Sequence, residues 1–455
     1  MSIVIIGAGE MGYHLARRLS YEKRDVTVID RDPEKVDFIQ SHLDVQALVG
    51  VGSSPHILKE AGIEKSSILI AVTDSDEVNL VACFVAGRLN RFMTKVARLR
   101  QESFSEAPEI LNEQALGLDL VISPEREAVK KLTEVIKIPV ATDVIDFAEG
   151  RIKLFGVQLT ADSPLVGRSL KSLRVDFPDQ RVLIPAIFRE SEIIIPRGQD
   201  VLRTRDNAYV IAARDSIQSF IDLSGLHGEP LRSFMIHGGT PAGVTTATEL
   251  EKLGITQIRL VESDSARCEE IASELNYTMV LKSSSVDEEF LRSEGISEVD
   301  AFLAMTDSDE HNALTALLAK TMGARRVAAL TSKMEYHRLI SAIGVDIVLN
   351  PRLAGASRIL QYIRKGKVIS VSALPGESVE AIEFEAMDTS KLVGRPLRQI
   401  RFPEGAILGA VERQREFFIP HGETIIQPGD RVIVFVTREA IKKVEKLLTV
   451  RLEYF

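Results

Sequence analysis

The chain has 455 residues, 45% hydrophobic and 27% charged, room for roughly three or four domains of about 100–200 residues each. A net charge of −9 with no long Lys/Arg run argues against a nucleic-acid partner, and no apolar stretch reaches the ~18 residues of a membrane-spanning helix. The two cysteines, Cys83 and Cys268, lie far apart in helix-like segments, so they read as small buried residues in a reducing, cytoplasmic setting.

In chain order, Met1-Ser2 runs directly into Ile3–Ile6 without a basic or cleavable leader. Short, nearly continuous apolar runs follow at Val26–Ile29, Ala47–Val49, Ile68–Val72, Lys95–Leu99 and Leu120–Ile122. Such runs are expected of strands buried on both faces. Helix patterns lie between them, as at Met11, Leu15 and Leu19, so residues 1–124 are expected to form a Rossmann-like, doubly wound parallel sheet. Ser123-Pro124 opens an amphipathic helix carrying Val129, Leu132, Val135 and Ile136 on one stripe. Residues 125–225 are read as this crossover helix plus a small α+β module, and 226–232, bounded by Gly225 and containing Gly228 and Pro230, as a linker. Strand runs return at Phe234–Ile236, Ile258–Val261, Thr278–Leu281, Ala301–Met305, Val327–Leu330 and Ile347–Leu349, giving a second Rossmann-like sheet over 233–351. Pro351 opens the second crossover helix, with Leu353, Ala356, Ile359, Leu360 and Ile363, and residues 352–455 complete a second small module. The two small modules share turn punctuation: Ile195-Pro196-Arg197-Gly198 with Asp206, and Ile419-Pro420-His421-Gly422 with Asp430. The two crossover helices are candidate apolar faces through which units pair and transmit motion; the alternative is that each covers its own sheet.

The alternation is thus written twice. Ala71-Val72-Thr73-Asp74-Ser75-Asp76-Glu77 returns as Ala304-Met305-Thr306-Asp307-Ser308-Asp309-Glu310, 233 positions on, and Gly62-Ile63 and Gly295-Ile296 share that spacing. Leu165-Val166-Gly167-Arg168-Ser169-Leu170 recurs as Leu392-Val393-Gly394-Arg395-Pro396-Leu397, 227 positions on. A period this long means duplicated domains rather than a solenoid. An enzyme needs one good site, whereas a duplicated binding unit suggests a ligand-driven assembly.

Gly7-Ala8-Gly9-Glu10-Met11-Gly12 follows a strand and opens a helix, the context that the dinucleotide fingerprint requires. Gly7 permits the tight turn, Gly9 lets backbone approach a pyrophosphate, and Gly12 allows close helix–strand packing. The helix N-terminus offers free N–H groups and positive dipole to the phosphates. Asp30 ends the second strand where a carboxylate meets a ribose diol, which favours NAD(H) over NADP(H) but does not separate NAD from ATP or ADP. Glu10 leans against a triphosphate. Thr73-Asp74 lies past the fourth strand at the ligand-binding rim, and Arg98 on the fifth strand is placed to meet an anion.

The second copy, Gly238-Gly239-Thr240-Pro241-Ala242-Gly243, puts Thr240 where Gly9 stood, and Pro241 removes an N–H donor. Glu262 keeps the acid and Thr306-Asp307 the rim pair, while Ser283 and Ser285 replace Gly50 and Gly52 and Thr331 or a neighbour falls at Arg98. Nucleotide binding is expected at the first site and doubtful at the second.

A dehydrogenase would need a proton acceptor beside the nicotinamide and a substrate pocket. The eight histidines show no metal-ligand spacing, and His237, abutting the second glycine loop, reads as a packed or loop residue. No nucleophile elbow or Walker-type loop occurs. Asp74, Asp76, Glu77 and their copies Asp307, Asp309, Glu310 suggest a cation site less readily than acids placed at helix N-termini for dipole reasons. No catalytic residue and no metal site are expected.

The Gly-x-Gly-x-x-Gly loop with Asp30, the Ala71–Asn79 stretch, Arg98 and the Leu-Val-Gly-Arg modules, all duplicated in order, resemble the tandem RCK (regulator of potassium conductance) family of Trk potassium-uptake regulatory subunits. The resemblance covers essentially the whole chain. It implies an RCK N-subdomain and C-subdomain in each half, and a ring, as a homotetramer, on the cytoplasmic face of a separate potassium-translocating membrane subunit. NAD(H), and in relatives ATP or ADP, would bind the N-subdomains and shift the ring between conformations. Carried over, the site comprises Gly7, Ala8, Gly9, Glu10, Met11, Asp30, Thr73, Asp74 and Arg98, with Gly238, Gly239, Thr240, Pro241, Ala242, Glu262, Thr306 and Asp307 as its worn copy. The competing readings are an NAD-dependent oxidoreductase and a regulator of another cation transporter.

Overall fold

The computed structural model describes residues 2–101, 104, 116–173, 181–190, 192–226, 228–363, 368–374 and 379–448. His227 and the last residues of the second small module lie outside that set.

The buried runs form strands where expected. In the first half, β1 (Ser2–Ile6), β2 (Asp25–Asp30), β3 (Gln46–Val49), β4 (Ile68–Ala71), β5 (Thr94–Arg98) and β6 (Leu120–Ile122) make one parallel sheet in the order β3-β2-β1-β4-β5-β6. Strand order reverses between β1 and β4, so a crevice opens outside the carboxyl ends of these strands. Helices α1 (Glu10–Tyr21), α2 (Pro33–His42), α3 (Pro55–Glu60) and α4 (Asp76–Leu89) connect them, and α5 (Pro124–Ile136) is the first crossover helix. An antiparallel sheet of β7 (Ala141–Phe147), β8 (Ile152–Gln158), β9 (Val182–Arg189), β10 (Glu192–Ile194) and β11 (Asn207–Ala213) follows, closed by α6 (Ile217–Ser224).

The second half repeats this plan. Strands β12 (Ser233–His237), β13 (Gln257–Glu262), β14 (Thr278–Lys282), β15 (Ala301–Ala304), β16 (Arg326–Leu330) and β17 (Ile347–Leu349) take the order β14-β13-β12-β15-β16-β17. Their helices are α7 (Pro241–Lys252), α8 (Ser265–Glu274), α9 (Glu288–Ser293), α10 (Asp309–Thr321) and α11 (Met334–Ala342), and the second crossover helix is α12 (Pro351–Ile363). The second antiparallel sheet holds β18 (Val368–Ala373), β19 (Val379–Glu385), β20 (Ala406–Arg413), β21 (Glu416–Phe418) and β22 (Arg431–Thr437), with α13 (Ile441–Leu448) behind it. Among the described residues no helix is long and apolar enough to cross a membrane.

The halves do not fold side by side as two beads. The two parallel sheets group into one compact unit and the two antiparallel sheets into the other. In the first unit Ala356, Ile359, Leu360 and Ile363 of α12 enter the core of the first sheet, with Ile3, Ile5, Met11, Leu15 and Ile122. A Cβ added at Gly355 would lie 2.8 Å from Met11 Cε. The apolar stripe of α12 is therefore neither an exposed pairing face nor confined to its own sheet. In the second unit Phe147, Ile152, Leu154 and Tyr209 share one core with Val379, Ala381, Ile433 and Phe435.

Candidate functional site

At the carboxyl end of β1 the chain turns at Gly7, whose φ of +107° suits only glycine. Gly12, in the first turn of α1, presses on that turn: a Cβ there would fall 1.8 Å from the Gly7 carbonyl oxygen. Gly9 is different in kind. Its φ of −69° and ψ of −176° are open to any residue, and among the described residues nothing lies within 4 Å of where its Cβ would stand. As the N-cap of α1 it supplies no side-chain cap. The helix thus begins on open space with free N–H groups and the positive end of its dipole, a cradle for an anion.

Asp30 fastens the loop from the second strand. Its Oδ2 accepts the Ala8 N–H at 2.6 Å and its Oδ1 the Asp32 N–H at 2.9 Å, which leaves lone pairs on both oxygens for a diol. Glu10 is exposed. Met11 is 3% exposed and belongs to the core beneath α12, so only its backbone can face a ligand.

At the rim across from the loop, the fully buried Asn79 ties two strand ends together. Its Oδ1 accepts the N–H and hydroxyl of Thr73 at 3.0 and 2.7 Å, and its Nδ2 donates to the carbonyls of Thr73 and Arg98 at 3.1 and 2.9 Å. Asp76 is spent on the N–H groups of Arg100 and Gln101. The Arg98 guanidinium is buried, with Nη1 3.2 Å from Oδ1 of the exposed Asp74. Arg100 Nη2 reaches the same oxygen at 3.0 Å. Arg98 Nε and Glu125 Oε2, in the first turn of α5, are buried without a hydrogen-bond partner among the described residues. Burial and the neighbouring Arg100 charge draw the Arg98 pKa below its ordinary value, against the pull of Glu125 and Asp74. Arg98 and Arg100 thus share the exposed Asp74 carboxylate, and the Arg98 Nε–H is left as a buried donor at this rim. Together with the open space over Gly9, the donor set fits a dinucleotide with its pyrophosphate on α1.

The structure therefore gathers Gly7, Ala8, Gly9 and Asp30 at one loop and Thr73, Asp74 and Arg98 at one rim. Sequence reasoning missed Asn79 as a fastener, Arg100 and Glu125. Asn79 had a signal, since Asn312 repeats it 233 positions on, and Arg100 stands two residues from Arg98, the spacing that shares a strand face. Glu125 had none.

The second loop keeps the turn and loses the cradle. Gly238 has φ +117°, and a Cβ at Gly243 would fall 2.0 Å from the Gly238 oxygen. Thr240 Oγ1, however, accepts the Gly243 N–H at 3.2 Å and donates to the Met305 carbonyl at 2.7 Å, and Pro241 follows it. The helix is capped by its own chain, with Ala242 buried behind. Glu262 accepts N–H groups of Gly239, Ser263 and Asp264. Burial opposes its charge, but these bonds outweigh that and hold its pKa below the ordinary value. Thr306 and Asn312 reproduce the Thr73–Asn79 knot. The residue at the Arg98 position is Leu330, not Thr331, because Asn312 Nδ2 donates to the Leu330 carbonyl as Asn79 does to Arg98. Ser332 stands where Arg100 does, its N–H on Asp309. Asp307 thus faces a rim with neither arginine.

The TrkA-N domain model matches residues 3–124 and 234–351, and the TrkA-C domain model matches residues 154–225 and 381–449. Among curated relatives, the Trk system potassium uptake protein TrkA of Azorhizobium caulinodans is 38% identical over 100% of both chains. That of Halomonas elongata is 35% identical over 100% of both, and the homolog from Archaeoglobus fulgidus is 35% identical over 98% of this chain and 100% of its own. Among solved structures, the GsuK channel bound to NAD superposes with a TM-score of 0.61 at 17% identity, covering 98% of this chain and 79% of that one. The GsuK RCK domain gives 0.60 at 18%, covering 98% and 95%. At such identity these two likenesses speak for the fold alone.

Proposed function

The chain belongs to the TrkA family of Trk system potassium uptake proteins, and on that footing we propose that it is a non-catalytic, nucleotide-sensing regulatory subunit. It binds NAD(H), and also ATP or ADP, at the Gly7–Gly12 loop. It sits at the cytoplasmic face of a potassium-translocating membrane subunit of Trk type, which it gates as a self-associated ring, a homotetramer. The observation that carries the reading is the open, uncapped start of α1 at Gly9 opposite the buried Arg98. Its second copy is closed by Thr240, so each chain offers one working site. The similar GsuK channel has been solved bound to NAD and bound to ADP, which supports the choice of ligands.

Self-association is supported by an outward apolar position that both halves carry: Val81 on α4, beside Phe84, is 49% exposed, and its counterpart Leu314 on α10 is 66% exposed. A second copy of the chain is the occupant that a duplicated apolar position suits. Oligomerising the sensor also answers an energetic need. Moving a two-state ring from 1:99 to 99:1 takes about 5.5 kcal/mol, and four sites each contributing ~1–3 kcal/mol of coupling supply it.

Calorimetric titration of NADH, NAD, ATP and ADP into wild type and Asp30→Ala tests the site. Asp30→Ala removes the diol acceptor and the clamp on Ala8, and is expected to weaken binding at least tenfold. Equal affinity in both proteins would discard the assignment. Potassium flux through the co-purified membrane subunit, with and without nucleotide, tests the gating.

A further inference from the structure

One set of differences between the two copies is left over once the nucleotide loops are accounted for. Ile6, the last residue of β1, is replaced at the end of β12 by His237, and Val78, in the first turn of α4, is replaced in α10 by His311. One core position and one half-buried apolar position have become two imidazoles. They lie 74 residues apart in sequence, which is why no ligand spacing betrays them. In the fold they meet, with ring centroids 5.0 Å apart and planes at 70°. His237 Nδ1 is buried and has no hydrogen-bond partner among the described residues, whereas His311 is exposed.

In the tautomer that leaves Nδ1 unprotonated, this buried nitrogen keeps a free lone pair that a metal ion would complete. Two imidazoles bound to one zinc-class ion at about 2.0–2.1 Å and a tetrahedral angle hold their ring centroids about 5 Å apart. We propose that His237 and His311 form an open binding site for a borderline transition-metal ion of the zinc class beside the second glycine loop. Among the described residues no group of three or more His, Cys, Asp or Glu side chains converges, so water completes the shell. Such a site is expected to bind with modest, exchangeable affinity rather than to hold the fold together.

The test uses the full chain, stripped with chelator and titrated with zinc(II) by calorimetry and with cobalt(II) by visible absorption. One ion per chain is expected. His237→Ile and His311→Val restore the residues of the first copy, so both variants are expected to fold, with circular dichroism melting as the check. Each should weaken zinc binding at least tenfold and remove the cobalt band. Val78→Ala, away from the pair, should change neither. Zinc affinity equal in wild type and His311→Val, or no uptake by wild type, overturns the proposal and leaves the nucleotide reading untouched.

Discussion

Gly9 and Gly12 belong to one fingerprint, yet the structure gives them opposite kinds of importance. A side chain at Gly9 meets no atom and no forbidden dihedral, so the fold does not need glycine there; only a ligand does. At Gly12 a Cβ 1.8 Å from the Gly7 oxygen forces strand and helix apart. Gly9→Val is therefore expected to melt within a few degrees of wild type while NADH affinity falls more than tenfold. Gly12→Ala should instead lose stability by about 1–3 kcal/mol, an overpacking cost. Thermal melts and calorimetry on the two variants separate them, and a Gly9→Val that unfolds would contradict the open cradle. The loop residues and Asp30 were legible because their chemistry is local to a strand–turn–helix. Glu125, and the match of Arg98 to Leu330, were not. One depends on where a distant helix starts, the other on a register that an apolar run such as Val327–Leu330 does not mark to the single residue.

The strands of the two parallel sheets were placed to within about a residue because doubly buried runs end abruptly at charged or glycine positions, whereas those of the antiparallel sheets were not placed. The destination of α12 was hidden, since an apolar stripe states that a helix is covered and not by which sheet. The turn between β7 and β8 was equally hidden. Ala148, Glu149 and Gly150 all have positive φ (49°, 59° and 83°), and nothing in Phe-Ala-Glu-Gly announces a left-handed run. Charges from the other antiparallel sheet hold it. The Ala148 N–H donates to Glu383 Oε1 at 3.2 Å, Arg431 Nη2 lies 3.3 Å from Glu149, and Arg151 Nη2 lies 2.6 Å from Glu412. Burial raises the Glu383 pKa above its ordinary value, although Ser370 and Ala148 hydrogen-bond to the carboxylate. The folded state therefore binds this proton more tightly than the unfolded chain. Its contribution is fully present below the ordinary glutamate pKa and is lost as pH rises through the raised value. Glu383→Gln keeps an acceptor for Ala148 without a charge to bury. Its melting temperature relative to wild type should rise between pH 4 and pH 7, and a pH-independent difference would refute the assignment.

At the scale of the whole chain, duplication has not produced two independent halves. Each compact unit draws one sheet from each half, and the first parallel sheet keeps its α1 face dry with a helix that lies more than 300 residues from β1 in sequence. Ile359, Leu360 and Ile363 each contribute roughly 1.5–3 kcal/mol on burial, a large share of the ~5–15 kcal/mol that holds an ordinary domain folded. The antiparallel sheets are bound likewise through Phe147, Tyr209, Ile433 and Phe435. Under the proposed function, a nucleotide on the first loop would act on a body whose core includes the second half, so its effect would not be confined to the half that binds. Residues 1–226 expressed alone should aggregate or melt well below the full chain, because Met11, Leu15 and Leu19 lose their cover. Co-expressed with residues 227–455 as a separate chain, they should co-elute on size exclusion and regain NADH binding. A soluble 1–226 fragment melting like the intact protein would show that α12 is dispensable, and would return the halves to independent domains.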